Sequence, residues 1–272
     1  MEALRQIDGW GASTAAGGVA AATGHVATYG ATSTRLRLAS VTKPMFAYAV
    51  LIAVEEGTVS LDEPAGPPGS TIRHLLAHAS GLSFDGEEPI ARPGARRIYS
   101  NTGFDRLADH VEAATGMAAA EYLRLAVFEP LGMTTATLEG SPSAFGYATL
   151  EDVIGFAAEL LRPTLLAPET LAGAVTVQFP GLAGVLPGVG RFDALDWGLG
   201  FELCDAKSPH WTGAANSPVT FGHFGGSGTF LWVDPIAGIA CTALTDREFG
   251  PWALDAWPKL SDAVLAEVAR TT

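Results

Sequence analysis

A serine and a lysine near position 40 have the residue types and spacing for nucleophilic catalysis. The segment reads Ser40-Val41-Thr42-Lys43, and the pattern that follows is helical up to a plausible stop at Gly57. If Ser40 opens this helix, Lys43 lies one turn later on the same face, beside the serine hydroxyl. A lysine whose pKa is lowered by burial could accept the serine proton. Taken alone, the pattern favours a structural role, because capping serines are common and this spacing also arises by chance.

A tyrosine and an asparagine form the second candidate. Tyr99 and Asn101 directly precede a helix that the sequence predicts from Thr102, with Asp105 as its capping partner. The Tyr99 hydroxyl could serve as a general base beside Lys43, and Asn101 could bind a substrate carbonyl. The structural alternative is a buried tyrosine followed by an asparagine in a turn.

A glycine-rich segment near the end of the chain is the third candidate. It reads Gly-His-Phe-Gly-Gly-Ser-Gly from Gly222 to Gly228. Glycines at this density beside a strand allow the backbone to approach a ligand closely. The alternative is a hairpin turn that contains an incidental histidine.

The elements that must position these residues form strands at both ends of the chain around a helical middle. We predict a β-hairpin over residues 18–30, a short strand over 35–38, and a mainly helical region over 61–174 that includes a helix over 118–128. Four glycines and a proline predict a loop over residues 181–190. Strands follow at 229–233 and 239–244, around a turn at Asp234-Pro235, and a helix follows at 254–269. This order predicts an α+β protein whose sheet is built from both chain ends.

Taken in order, the three candidate segments resemble a known family. The pattern Ser-x-x-Lys, then Tyr-x-Asn, then His/Lys-x-Gly is that of class C β-lactamases, D-alanyl-D-alanine peptidases and related carboxylesterases. Further segments are similar to the family: Leu-Leu-Ala-His-Ala-Ser-Gly-Leu at 75–82, Glu-Pro-Leu-Gly-Met at 129–133, and Leu-Trp-Val-Asp-Pro at 231–235. Ordered matches at this many places reverse the structural interpretation of each motif taken alone.

The resemblance implies a β-lactamase/DD-peptidase-like α+β fold, in which an antiparallel sheet from both chain ends is flanked by helices and joined by a mainly helical lobe. It implies that residues 1–38 and 192–272 form the α/β lobe, that residues 39–191 form the helical lobe, and that the two make one catalytic domain. The catalytic residues that it implies are Ser40 as nucleophile, with Lys43 and Tyr99 as activators. Substrate contacts would come from Asn101, His223, Phe224 and Gly225, and the N–H groups of Ser40 and Gly226 would form an oxyanion hole.

Two departures from the pattern bear on the substrate. His223 stands where most β-lactamases carry lysine, and Phe224 where many carry threonine, so the charge and hydroxyl that hold a β-lactam carboxylate are weakened. His223 would bind such a carboxylate only in its minor protonated form. We therefore expect an esterase or amidase with weak β-lactamase activity. The alternatives are a D-amino-acid peptidase, an efficient β-lactamase, or a non-catalytic protein that binds a ligand or partner.

No cofactor or metal is expected. His74 and His78 are four apart, but Leu75 stands where a zinc peptidase would carry glutamate, and no third ligand is evident. His78 is better interpreted as a structural hydrogen-bonding histidine.

The charge and composition of the chain exclude some classes of binding partner. The net charge of −13 over 272 residues argues against binding to nucleic acid and to anionic membranes. The family resemblance implies a small-molecule ester, amide or β-lactam as the partner. The chain begins without a basic segment followed by an apolar run, and the apolar stretch at 46–54 is too short to span a bilayer. These features and only two cysteines predict a cytoplasmic location. The oligomeric state stays open.

Overall fold

The computed structural model describes residues 1–270, and its main feature is a six-stranded antiparallel sheet with the order β2-β1-β12-β11-β10-β9. The strands of the chain are β1 (Ala15–Ala21), β2 (Val26–Gly30), β3 (Leu36–Ala39), β4 (Arg97–Ile98), β5 (Thr137–Leu138), β6 (Gly146–Ala148), β7 (Gly184–Leu186), β8 (Gly190–Phe192), β9 (Glu202–Leu203), β10 (Phe221–Gly225), β11 (Thr229–Asp234) and β12 (Ile239–Thr245). Because β1 pairs with β12 along their whole length, the two ends of the chain meet at the centre of this sheet. The predicted α+β class is confirmed.

Helices cover the sheet and fill the middle of the chain. They are a 3-10 helix (Ala3–Gly9), α1 (Thr42–Glu55), α2 (Ile72–Leu76), α3 (Asn101–Thr115), α4 (Ala119–Leu123), a π-helical turn (Arg124–Phe128), α5 (Leu150–Leu161), α6 (Pro168–Ala174) and α7 (Pro251–Ala269). Within residues 1–270, none of them is both long enough and apolar enough to cross a membrane.

Two apolar cores lie on opposite faces of the sheet. Helix α1 is apolar around its whole circumference, and its buried side chains, such as Phe46 and Tyr48, form the larger core with α3 and α5. On the other face, α7 and the N-terminal 3-10 helix pack Trp257 against Trp232 and Phe230 of β11. The sheet edge that carries the third motif is therefore held between two packed layers.

Two small sheets connect the middle of the chain to the site. One has the order β3-β6-β5, so that β3 leads from this sheet into α1. The other has the order β4-β7-β8. In this sheet β4 and β7 are parallel, and β7 and β8 are antiparallel. The proposed division into lobes at residues 38 and 191 stays a prediction.

The predicted loop over residues 181–190 is wrong in part, because it contains β7 and the beginning of β8. Its glycines allow the backbone of β7 to approach β4 closely and allow the chain to turn tightly between β7 and β8. A Cβ at Gly184 would lie 2.5 Å from the carbonyl oxygen of Arg97 in β4, and Gly188 has a φ of +76° in the hairpin turn. Dense glycine at this point therefore marks a packed hairpin.

The predicted start of α3 also needs correction. The helix begins at Asn101, and its cap is Ser100, whose extended backbone lets Oγ accept the N–H of Gly103 at 2.9 Å. Thr102 already lies inside the helix, and the carboxylate of Asp105 accepts a hydrogen bond from Ser141 instead of capping the helix.

Several other predictions are confirmed, with shifted ends. The hairpin at 18–30 corresponds to β1 and β2, the helix at 118–128 to α4 and the π-helical turn, and the helix at 254–269 to α7. The helix after Ser40 begins at Thr42 and is followed by Gly57 with a φ of +73°. The region over 61–174 is less helical than predicted, because residues 77–96 and 129–149 are irregular or form short strands.

Candidate active site

Ser40 lies in the turn between β3 and α1, two residues before the helix begins. The residue before it, Ala39, has a φ of +45°, a left-handed conformation that costs a non-glycine residue energy. Thr42 holds this turn, since its hydroxyl donates to the Ala39 carbonyl at 2.6 Å and accepts the Gly146 N–H at 2.9 Å. The serine is therefore presented from a tightly constrained backbone.

The side chain of Lys43 lies beside Ser40, as the spacing predicts. Its Nζ is 3.2 Å from Ser40 Oγ, 2.7 Å from Asn101 Oδ1 and 2.5 Å from the carbonyl oxygen of Ser143. Nζ also lies 4.7 Å from the centre of the Tyr99 ring. The residue is completely buried, so these contacts replace its hydration.

Burial lowers the pKa of Lys43 well below its usual value, and the carboxylates of Asp105 and Asp85 oppose this shift only in part. A lysine with a lowered pKa has an accessible neutral form, and that form can accept a proton. The 3.2 Å contact makes Ser40 Oγ the nearest donor for that proton.

Tyr99 closes the site from the other side. Burial raises the pKa of its hydroxyl above the usual value, and a hydrogen bond with Ser40 opposes this only in part. Its ring stacks on His78 at 4.5 Å, and His78 Nδ1 accepts the Ser100 N–H at 3.2 Å. His78 thus anchors the segment that carries Tyr99, which fits the structural role predicted for it. A raised pKa keeps Tyr99 protonated and favours it as a proton donor.

His223 faces Tyr99 from β10. Its Nδ1–H donates to the Phe224 carbonyl at 2.6 Å, so Nε2 is left as the acceptor that faces the Tyr99 hydroxyl at 3.5 Å. Burial and the nearby Lys43 ammonium lower the pKa of His223 to about 3. The lowered pKa favours the neutral imidazole, whose Nε2 carries no proton, and this disfavours carboxylate binding by a protonated His223. Substrate binding by His223, Phe224 and Gly225 stays a prediction.

Gly225 and Gly226 bring the end of β10 against the Ser40 turn. A Cβ at Gly225 would lie 2.4 Å from the Leu38 carbonyl oxygen and 3.1 Å from the Ala39 Cβ, so only glycine fits there. Gly226 follows at the wall of the site beside Ser40. Among residues 1–270, no acceptor is assigned to the N–H of Ser40 or of Gly226. This arrangement suits an oxyanion hole, whose donors must be free in the resting enzyme.

The reacting groups open onto a small chamber of about 230 Å³. Its apolar walls come from four separate parts of the chain: Phe84, the hairpin residues Leu186 and Pro187, Phe224 and Phe249. Phe224 lies with its ring centre 4.8 Å from that of Phe249. A chamber of this size and lining accepts a short apolar group beside Ser40.

Asn101, which is predicted to bind a substrate carbonyl, also makes hydrogen bonds within the site. Oδ1 accepts from Lys43, and Nδ2 donates to the Asp85 carboxylate at 2.9 Å. Both ends of the amide are engaged, so Asn101 orients Lys43, and substrate binding by it stays a prediction. Sequence reasoning missed Asp85 and Ser143, and no motif singles them out. It also missed the chamber walls that come from distant loops.

Comparison with known proteins places these features in context. A family model described as Beta-lactamase matches residues 7–265. The crystal structure of a beta-lactamase from Mycobacterium bovis is 54% identical, with a TM-score of 0.96, over 98% of this chain and 99% of that chain. The unliganded simvastatin synthase (LovD) from Aspergillus terreus is 20% identical, with a TM-score of 0.79 over 98% of this chain and 97% of that chain, and shows likeness of fold alone.

Curated relatives match over shorter regions. Esterase EstB of Burkholderia gladioli is 33% identical over 147 residues, which are 37% of this chain and 37% of that protein. Penicillin-binding protein 4* of Bacillus subtilis is 30% identical over 135 residues, 38% of this chain and 30% of that protein. The matches span about a third of the length of these two relatives.

Proposed function

Because the chain belongs to the beta-lactamase family, we propose that it is a serine hydrolase that forms an acyl-enzyme on Ser40. The observation that carries this proposal is the 3.2 Å contact between Ser40 Oγ and the buried Nζ of Lys43. A binding protein has no need for a nucleophile, a base with a lowered pKa and a protonated tyrosine in one chamber.

The proposed acylation begins with proton transfer from Ser40 Oγ to neutral Lys43 while Oγ attacks the substrate carbonyl. The N–H groups of Ser40 and Gly226 receive the resulting oxyanion. Each such donor is commonly worth about 3–4 kcal/mol in the transition state. The carbonyl–oxygen bond of the ester then breaks as Tyr99 donates its proton to the leaving oxygen, and Tyr99 recovers a proton from the Lys43 ammonium.

Deacylation repeats these steps with water in place of serine. Water loses a proton to the base as it attacks the acyl carbon, and the acyl–Oγ bond breaks as Ser40 regains its proton. The site supplies every group that this sequence of steps needs.

The preferred substrate is an ester or amide with a short apolar group, and β-lactam hydrolysis is weak. The neutral His223 and the phenyl ring of Phe224 offer neither charge nor hydroxyl to a carboxylate beside the reacting carbonyl. A charged hydrogen bond of this kind is worth about 1.5–3 kcal/mol. We therefore expect kcat/KM for p-nitrophenyl butyrate to exceed that for a chromogenic cephalosporin by at least about tenfold.

Labelling with a fluorophosphonate followed by peptide mass mapping tests the nucleophile. The adduct should lie on Ser40, and Ser40→Ala should abolish both labelling and ester hydrolysis. Ser227→Ala is the matched control, because this neighbouring serine lies outside the chamber and should keep full labelling. An adduct on Ser227, or undiminished hydrolysis by Ser40→Ala, would overturn the assignment.

A substrate panel tests the specificity. It compares the butyrate ester, a D-aminoacyl amide and the cephalosporin, with the double variant His223→Lys and Phe224→Thr beside the wild type. The double variant should shift the ratio toward the cephalosporin. Wild-type preference for the D-aminoacyl amide would support a D-amino-acid peptidase instead, and preference for the cephalosporin would support an efficient β-lactamase.

A further inference from the structure

A second cavity adjoins the chamber beside Ser40. This outer groove has a volume of about 330 Å³, and Phe84, Tyr99 and Pro187 line both it and the chamber. Ile98 and Val185 form its floor on neighbouring strands β4 and β7. The two cavities are therefore adjacent, and the outer groove lies within reach of a chain attached to the reacting carbonyl.

The walls of the outer groove hold apolar surface in contact with solvent. Ile90 is 65% exposed, Val185 51% and Phe84 46%, and these are among the most exposed large apolar side chains in residues 1–270. Exposed apolar side chains that converge on one groove indicate a binding surface for an apolar group.

Uncompensated positive charge borders the same groove. Among residues 1–270, the side chains of Arg92, Arg96 and Arg191 have no hydrogen bond, ion pair or aromatic contact. Arg96 lines the groove, and Arg92 lies two residues from Ile90. Arg191 lies directly opposite Val185 on β8, so its side chain leaves the sheet on the groove side.

The neighbouring Arg97 has a structural role, in contrast to Arg96. It is buried, and its guanidinium donates to the carbonyl oxygens of Ala77, Gln178 and Leu195 at 2.5, 2.6 and 2.9 Å. Arg96, by contrast, is exposed and holds nothing within the chain. In a protein with a net charge of −13, free cations gathered at one groove attract an anion that the rest of the surface repels.

We propose that the outer groove selects amphipathic substrates, in which an apolar chain ends in an anionic group that binds Arg96 and Arg191. This assignment rests on the proposed hydrolysis at Ser40 and names its substrate class. A guanidinium pairs with a carboxylate through two parallel hydrogen bonds, so a terminal carboxylate is the anion that fits best.

The distance between the reacting carbonyl and the arginine side chains sets the length of the apolar chain of the substrate. Arg96 and Tyr99 flank the two-residue strand β4, so their backbones lie at most about 10 Å apart. A straight chain of about eight carbons spans such a distance. The anion is therefore remote from the scissile bond, unlike the carboxylate of a β-lactam, which His223 and Phe224 fail to hold.

The test compares two p-nitrophenyl esters of equal length, the octanoate and the half-ester of octanedioic acid. Wild-type kcat/KM should favour the half-ester by about three- to tenfold at low ionic strength, and added salt should shrink that preference because the arginines are exposed. Arg96→Gln combined with Arg191→Gln should remove the preference, because kcat/KM for the half-ester should fall more than kcat/KM for the octanoate. Arg124→Gln, which removes an exposed charge on the π-helical turn, is the matched control.

Calorimetric binding of octanedioate against octanoate gives a second readout that needs no turnover. Tighter binding of octanedioate by the wild type, lost in the double arginine variant and kept in the control, supports the assignment. Equal use and equal binding of the two chains would overturn it while leaving hydrolysis at Ser40 intact. Absence of hydrolysis of both esters would instead count against the proposed function, and binding alone would then decide the role of the groove.

Discussion

Replacing Lys43 with alanine tests whether this residue acts as a base or as a positive charge. The variant removes the side-chain nitrogen that lies 3.2 Å from Ser40 Oγ. Loss of a general base lowers turnover by about 10²- to 10⁴-fold, which corresponds to about 3–5 kcal/mol of activation free energy. We expect kcat/KM for p-nitrophenyl butyrate to fall within this range. Lys259→Ala, which removes an exposed lysine of α7, should leave kcat/KM unchanged.

Chemical rescue separates the two roles of Lys43. A small alkylamine added to Lys43→Ala can enter the space that the side chain vacates. Because burial lowers the pKa of Lys43 well below its usual value, the neutral amine is the active form. Rescue should therefore increase as the pH rises and the neutral fraction of the added amine grows.

Rescue that does not increase with pH would refute this reasoning. If the ammonium charge were what Ser40 needs, rescue would already be complete at neutral pH, where the added amine is almost fully protonated, and it would decrease only near the pKa of the amine. Thermal unfolding of the variant must accompany the assay, because Asn101 Oδ1 and the Ser143 carbonyl lose a buried donor. A fall in activity that is matched by a fall in folded protein at the assay temperature would indicate a structural role.

Three further predictions follow from separate parts of the structure. Tyr99→Phe should lower kcat by about 10²- to 10⁴-fold with little change in Tm, because it removes only the hydroxyl; full turnover in a stopped assay would exclude Tyr99 as proton donor. His210 donates to the buried Glu202 carboxylate, which, against the effect of burial, raises the pKa of His210 to about 9. The stabilisation that protonated His210 contributes to folding should be fully present below pH 6.5 and lost as the pH rises through 9. In urea unfolding, the free energy of unfolding of the wild type should exceed that of His210→Gln by up to about 3 kcal/mol at pH 6, and the two values should converge above pH 9. A difference that does not change with pH would contradict this linkage. Gly200 has a φ of +85° and a Cβ there would lie 2.1 Å from that of Ala47, so Gly200→Ala should lower the free energy of unfolding by about 1–3 kcal/mol, measured in the same way.

The sequence by itself determined the fold class and predicted the residues that we propose as the reacting groups. Alternation and turn residues predicted β1 with β2 and β11 with β12, because these pairs are local in the chain. The three-residue spacing placed Lys43 beside Ser40 for the same reason, because residues three apart in a helical turn are neighbours in space. Such features depend on short-range geometry that a linear pattern records.

Only the tertiary structure decided the protonation states and the shape of the site. The pKa values of Lys43, Tyr99 and His223 depend on how completely each is buried, and burial is a property of the whole packed chain. The motif records the imidazole of His223 but not its surroundings, and it is the burial of the side chain that disfavours the protonated form.

The chamber and the outer groove depend on contacts that are distant in sequence. Phe84 and Phe249 meet at one chamber only because loops from both halves of the molecule converge there. The parallel pairing of β4 with β7 joins segments that no local pattern relates, and it converts a glycine-rich stretch into a packed hairpin. The shape of the proposed binding cavities therefore depends on long-range packing. The chemistry proposed at Ser40 can be predicted from the order of residues, because a catalytic motif is short and a binding cavity is not.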